Sequence, residues 1–192
     1  MSENAEYVHS VAEDITLWAK VELIVYNLIL HPTGYDAINF SSNTEIRNVE
    51  CLYENDSHSP TNSYATWYIN GNTSTNPASL AFYVAGEKFI NIPDNAQITD
   101  INVLIRMGDT IKQLVNKSAK LHEIYTAQRN IENSEASYNQ VGIKKYTDKS
   151  EIPETEIIPY TLTNTEVGSW TLATFKAGKF GIVLSASFDP SA

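Results

Sequence analysis

Residues 80–106, from Leu80 to Arg106, read LAFYVAGEKFINIPDNAQITDINVLIR. Leu80, Phe82 and Val84 alternate with Ala81, Tyr83 and Ala85. Further on, Ile101, Val103 and Ile105 alternate with Asp100, Asn102, Leu104 and Arg106. A period of two sends one row of side chains to a core and the other to water or a partner. Between the two runs stands Ile92-Pro93-Asp94-Asn95. Proline pre-sets φ for the second position of a type I turn, with Asp and Asn favoured beside it. The stretch therefore predicts a strand, a tight turn and a strand.

The same pattern extends outward. Ile46–Tyr53, Ser63–Ile69, Tyr160–Thr163, Ser169–Thr174 and Phe180–Phe188 are expected as strands, and Ala119–Gln128 suits a strand or a helix, with strand favoured. Glu54–Asn62 and Asn130–Asn139 are expected as polar loops, and the two prolines of Ile152–Pro159 predict an edge or a connection. The 11 tyrosines and frequent β-branched residues suit strands. Many short strands separated by turns predict an antiparallel all-β sandwich or jelly roll. Residues 1–34 read differently. Ser10-Val11-Ala12-Glu13 has the form of a capping box, and Leu17, Ala19, Val21, Leu23 and Val25 then alternate with Thr16, Trp18, Lys20 and Glu22. The predicted organisation is an N-terminal arm, 1–34, followed by one domain, 35–192.

Composition narrows the chemistry. A formal charge of -10 opposes sequence-independent binding to nucleic acid. One cysteine, Cys51, excludes an internal disulfide. The apolar run Val21–Leu30 is too short to span a bilayer and holds Glu22 and Asn27, so no membrane partner is expected. Met1–Ser10 is polar and acidic, which predicts no secretion signal. Among His9, His31, His58 and His122, no spacing matches a zinc motif. No nucleophile elbow, phosphate loop or dinucleotide fingerprint occurs. The sequence predicts no catalytic, metal or cofactor site.

Three segments together carry a resemblance. Glu54-Asn55-Asp56 precedes Ser63-Tyr64-Ala65-Thr66. Phe89-Ile90-Asn91-Ile92-Pro93 is followed by Ala96, Ile98, Ile101, Val103 and Ile105. Trp170-Thr171 leads to Phe180-Gly181-Ile182-Val183-Leu184. Over Asn48–Ser187 their order and spacing resemble a jelly-roll β-sandwich module of tailed-bacteriophage structural proteins, tail- or capsid-associated. At Thr165–Trp170 the sequence departs from the Gly-rich turn common in such modules. The resemblance implies an all-β jelly roll with an N-terminal arm. It also implies a non-enzymatic virion protein, made in the bacterial cytoplasm, that forms homo-oligomers and binds other virion proteins.

On that reading Trp18, Val21, Leu23 and Val25 of the arm are the expected subunit-contact residues. The alternative is a carbohydrate- or host-receptor-binding module that uses outward aromatics, Trp67 and Tyr68, against a host-surface glycan. Flat rings stack on sugars, and they also anchor protein interfaces.

Overall fold

The computed structural model describes residues 26–53, 65–69, 71–73, 75–107, 118–145 and 156–189. The chain is mainly β. Its strands there are β1 (Gly34–Ile38), β2 (Glu45–Arg47), β3 (Thr66–Tyr68), β4 (Ala78–Tyr83), β5 (Asn102–Met107), β6 (Ser118–Glu132), β7 (Glu135–Gln140), β8 (Glu156–Thr161) and β9 (Phe180–Asp189). Five of them form an antiparallel sheet in the order β1-β4-β9-β6-β7. Two smaller antiparallel pairs, β2–β3 and β5–β8, complete the set.

Sequence explains which strands are central. β9 reads FGIVLSASFD, and Phe180–Ser187 is buried throughout: Phe180, Ile182 and Leu184 pack in the core with the helices, and Val183 packs on the opposite face with Tyr125 and Tyr138. β4 lies between β1 and β9, so both of its side-chain rows are enclosed over Ala78–Ala81. Register is set by apolar rows: Leu80 opposes Leu184, which opposes Ile124, and Phe82 opposes Ile182. A slip of one residue would turn these side chains to the wrong face.

The stretch Leu80–Arg106 is not a hairpin. β4 and β5 belong to different sheets, and β5 pairs with β8. The connection contains a 3-10 turn, Gly86–Phe89, and Pro93 occupies the first position of its own turn, with Ala96 N donating to Pro93 O at 2.9 Å. Phe89, Ile92, Ala96, Ile98 and Ile101 all pack on the core, so the chain crosses the sheet instead of returning along it. Val103 and Ile105 also face that core, whereas Leu104 is exposed, which preserves the predicted alternation. Pro159 lies within a two-stranded pair, where each strand keeps an open edge that tolerates a missing donor.

Two segments change class. Ser169–Thr174, expected as a strand, spans the end of one short helix and the start of another, α1 (Asn164–Gly168) and α2 (Leu172–Lys176). Thr163 and Glu166 form a capping box on α1, and the Thr171 side chain caps α2 by accepting from Thr174 N. These helices carry Val167, Leu172 and Phe175 onto the sheet, with Trp170 between them. There Phe175 stacks on Phe180 at 4.6 Å, and Trp170 meets Phe180 edge-on at 4.8 Å. Each fully buried apolar side chain of this size contributes about 1.5–3 kcal/mol. The helices are fixed by that burial rather than by their own length.

The other change is at Asn130–Asn139, expected as a loop. It is the β6–β7 hairpin, closed by Glu132-Asn133-Ser134-Glu135 with φ of 51° at Asn133 and 69° at Ser134. Two positive φ values in a two-residue loop match the twist of the flanking strands. Ile46–Tyr53 is a short strand followed by a 3-10 turn over Val49–Leu52, which contains half-buried Cys51.

A buried amide ties the loops outside the sheet. Asn72 Nδ2 donates to Asn39 O at 2.8 Å and Asn76 O at 3.1 Å, and its Oδ1 accepts from Ser41 N and Thr44 Oγ1. Asn72 begins a glycosylation-type triplet, yet it is enclosed in the folded chain and its side chain is fully engaged.

Candidate functional site

The sheet has two unlike faces. One carries the helices and the aromatic core. The other has a floor of small and medium residues, Ala81, Ala127 and Val183, with Ile38, Tyr125 and Tyr138 packed against them. Asp36 on β1 and Tyr138 on β7 lie at opposite edges of this second face, separated by four strand spacings, roughly 19 Å on a flat sheet. Nevertheless the Tyr138 hydroxyl donates to Asp36 Oδ2 at 2.5 Å. The sheet is curled, and this face is its concave side.

Two glycines leave room for rings on this face, and Gly181 lies under the crossing one. A Cβ on Gly181, in central β9, would lie 2.8 Å from Tyr138 Cε1. On Gly34, a Cβ would overlap the end of the Tyr83 ring that covers it from the paired strand. Glycine in a strand weakens it, and here it marks the close approach of a ring.

Arg129, from β6, completes the cluster. Its Nε donates to Asp36 Oδ2 at 2.8 Å and to Tyr138 Oη at 3.1 Å, while Nη2 reaches Asp36 Oδ1 at 3.4 Å. The guanidinium carbon lies 3.7 Å from the centre of the Tyr83 ring. The two charged side chains are only 13% and 25% exposed, so the pair is partly desolvated and its partners matter. Burial opposes the charge on Arg129, but the hydrogen bond and charge of Asp36 outweigh it and hold the guanidinium above its ordinary value. Burial, with the bond to Asp36, pushes the Tyr138 phenol well up. Tyr53 borders the cluster. Burial and then Tyr35, Tyr83, Glu50 and Asp36 push its phenol up to about 12.

This arrangement holds, stacks and orients. It does not poise Arg129 or the two phenols to exchange a proton near neutral pH, because each is shifted further from that range. An open cleft of about 330 Å³ adjoins it, between Arg129–Glu132 and the Ala177–Lys179 turn. His122 Nε2 and Ser187 Oγ lie 2.7 Å apart, a spacing suited to nucleophile and base. Both are buried and Ser187 is 0% exposed, so no substrate carbonyl reaches that hydroxyl. Among the described residues no group of three His, Cys, Asp or Glu side chains is arranged to hold a metal ion, and no helix is long and apolar enough to cross a membrane.

The aromatics singled out in the sequence lie elsewhere. Trp67 and Tyr68 are on β3, opposite β2. Trp67 is half-buried, stacked on Phe40 at 6.2 Å and packed against the main core, with its indole N–H enclosed. Tyr68 is exposed, and Arg47 lies over its ring at 4.6 Å. The two neighbours point to opposite sides and form no common platform. Trp18, Val21, Leu23 and Val25 lie outside the described residues, as do Asp56 and His58. The described chain begins at Tyr26, and its first residues expose Tyr26, Leu28 and Ile29, the last at 91%, while Leu30 packs on the core.

Asp36, Arg129 and Tyr138 were not singled out in the sequence, whereas Tyr83 stood among its candidate binding aromatics. The available signal was a pair of glycines, Gly181 inside the expected strand Phe180–Phe188 and Gly34 at the end of the arm, where the sequence suggests a turn. Comparison with protein-family models, curated proteins and solved structures returns no match.

Proposed function

We propose that this chain is a non-enzymatic structural protein of a tailed-bacteriophage particle, acting by subunit–subunit binding, with a jelly-roll sandwich as its body and residues 1–34 as an arm. Its partners are further copies of itself and other virion proteins. The observation that carries the binding reading is the apolar strip Tyr26, Leu28 and Ile29, exposed where the arm enters the domain. In sequence only Ile29 keeps the alternate spacing of Val21, Leu23 and Val25, with Asn27 in the intervening place. Apolar side chains gathered at one exit mark an interaction site more often than a solvent-facing surface. The phage assignment itself rests on the sequence resemblance over Asn48–Ser187.

The mass of the purified chain in solution, by light scattering across a concentration series, tests this. The expected result is an oligomer that dissociates when Leu23 and Ile29 are both replaced by Asp. A chain that stays monomeric and binds no protein of its own particle overturns it. Imaging the chain in intact particles locates it in head, neck or tail.

A glycan-binding reading is supported by one observation, the exposed ring of Tyr68. Arg47 already occupies one face of that ring, which leaves a single face for a sugar. Saturable binding on a glycan array, lost in Tyr68→Ala, decides for it.

A further inference from the structure

The five-stranded sheet ends in two edges, and they are built differently. β1 follows Pro32, is five residues long and turns the charge of Asp36 inward. Prolines and inward charges are the usual protection of an edge against pairing with other chains. β7, Glu135–Gln140, reads EASYNQ. It contains no proline and no lysine, and its one charge stands at its first residue. A bulge follows it, where Val141 N and Gly142 N both donate to Thr126 O, and the six residues before that bulge pair regularly with β6.

The backbone directions on β7 follow from two hydrogen bonds. Val141 N donates inward to Thr126 O, and Arg129 N donates away from β7, to Lys179 O. The even residues of β6 therefore bond the odd residues of β7. Ala136, Tyr138 and Gln140 point their N–H and C=O groups away from the sheet. Among the described residues no group donates to or accepts from them.

We propose that this edge receives a second copy of the same chain, β7 against β7, antiparallel about a two-fold axis at Tyr138. The two sheets then become one continuous sheet. The proposal rests on the subunit-binding reading above and supplies it with a partner and a surface. A two-fold axis that keeps the faces of both sheets aligned must oppose a residue with its own copy. Centred on Tyr138, it opposes Ala136 with Gln140 and uses all three outward-pointing residues. Centred on Ser137, it opposes only Ala136 and Tyr138 within the strand.

This register also keeps like charges apart. The chain carries a formal -10, so copies repel unless the contact keeps carboxylates apart. About Tyr138, each Glu135 falls opposite Val141, and the two carboxylates lie at opposite ends of the ladder. On the exposed face Ser137 opposes Asn139, two groups able to hydrogen-bond across strands. On the concave face the Tyr138 rings are drawn inward over Gly181 and do not block the approach.

Two variants of the full chain test this. Gln140→Pro removes an outward donor and leaves the β6 ladder intact. The expected result is a shift towards monomer with unchanged circular dichroism. Ser137→Cys with Asn139→Cys places thiols at a non-hydrogen-bonded pair, about 4.5 Å apart between Cα atoms, within bridging range. Mild oxidation of this double variant is expected to give a covalent dimer, and Ser137→Cys alone is expected to give none. An oligomer that yields no dimer in the double variant and keeps its mass in Gln140→Pro overturns the β7 proposal while the subunit-binding reading stands. If Gln140→Pro fails to fold, the cysteine pair decides alone. A full chain that is monomeric at every concentration overturns both.

Discussion

The Tyr138 hydroxyl bonds the Asp36 carboxylate at 2.5 Å, joining the last strand of the five-stranded sheet to the first. The contact spans three strands, which place Ala81, Ala127, Val183 and Gly181 on this face and set the larger Tyr83 and Arg129 beside it. It fixes the curl of the sheet without a hydrogen-bonded seam between β1 and β7, and it makes the concave face dependent on residues with almost no side chain.

Gly181→Ala is therefore expected to destabilise the chain by about 1–3 kcal/mol, the range for overpacking a filled site. Its added methyl lies 2.8 Å from the Tyr138 ring and close to the carbonyls of Phe82 and Ala127. In a Tyr138→Ala background the ring is gone, and the penalty of Gly181→Ala should shrink. Urea midpoints of the four proteins measure it, and equal penalties in both backgrounds count against the crossing ring.

Arg129 and Asp36 should prove coupled. Removing either leaves a partly desolvated charge, so Arg129→Met and Asp36→Asn are each expected to cost about 1–3 kcal/mol. Because each loss contains the same interaction, the double variant should cost less than their sum by at least about 0.5 kcal/mol. Additive losses would show that the pair is not acting as a unit.

Asn72→Ala should be among the costlier polar substitutions. It removes the amide that donates to the carbonyls of Asn39 and Asn76 and accepts from Ser41 N and Thr44 Oγ1, although Thr44 Oγ1 keeps the Ser41 hydroxyl at 2.9 Å. Roughly 1–3 kcal/mol is expected, the cost of leaving a buried polar group without its partner. A change below about 0.5 kcal/mol in the urea midpoint would mean that the loops do not depend on the amide.

Acid should weaken the chain through Glu166. Burial opposes its charge, but the backbone N–H groups of Thr163 and Ile143, the Thr163 hydroxyl and the charge of Lys145 outweigh that and hold the carboxyl below its ordinary 4.5. The folded state binds this proton less readily than the unfolded state. The stabilisation is therefore complete above about pH 4.5 and is lost as pH falls through the folded value. Glu166→Gln should be less stable than the native chain at pH 7, and the gap should narrow as the pH falls below the ordinary value of 4.5. A gap independent of pH would assign the cost of the substitution to packing.

Much of the fold was legible locally, and its failures are local in origin too. Alternation identified β4, β5, β6 and β9 because each places one row, or both, against a core. It misread Trp170–Thr174, where the spacing of Trp170, Leu172 and Thr174 imitates a strand while Thr171 caps a helix. The cue lay one turn earlier, in Thr163 and Glu166. The hairpin at Asn133-Ser134 was hidden by polar strand residues such as Ser137 and Asn139, which are exposed and need no apolar pattern. The concave cluster was beyond any local reading. Asp36, Arg129 and Tyr138 meet across separations of 93 and 102 residues, and no short spacing encodes that. Gly34 and Gly181 were the only trace it left.

The strand order β1-β4-β9-β6-β7 has a further consequence for synthesis. β9 is the middle of the sheet, yet it is translated after all four of its companions. While residues 180–189 are still inside the ribosome, β4 and β6 have no neighbour to join them, and each leaves an apolar edge uncovered. The nascent chain can close its β6–β7 hairpin early but must keep the two halves of the sheet apart until the end. Pausing or truncation before Phe180 therefore releases sticky fragments rather than a smaller folded body, and such chains are the ones that chaperones have to hold.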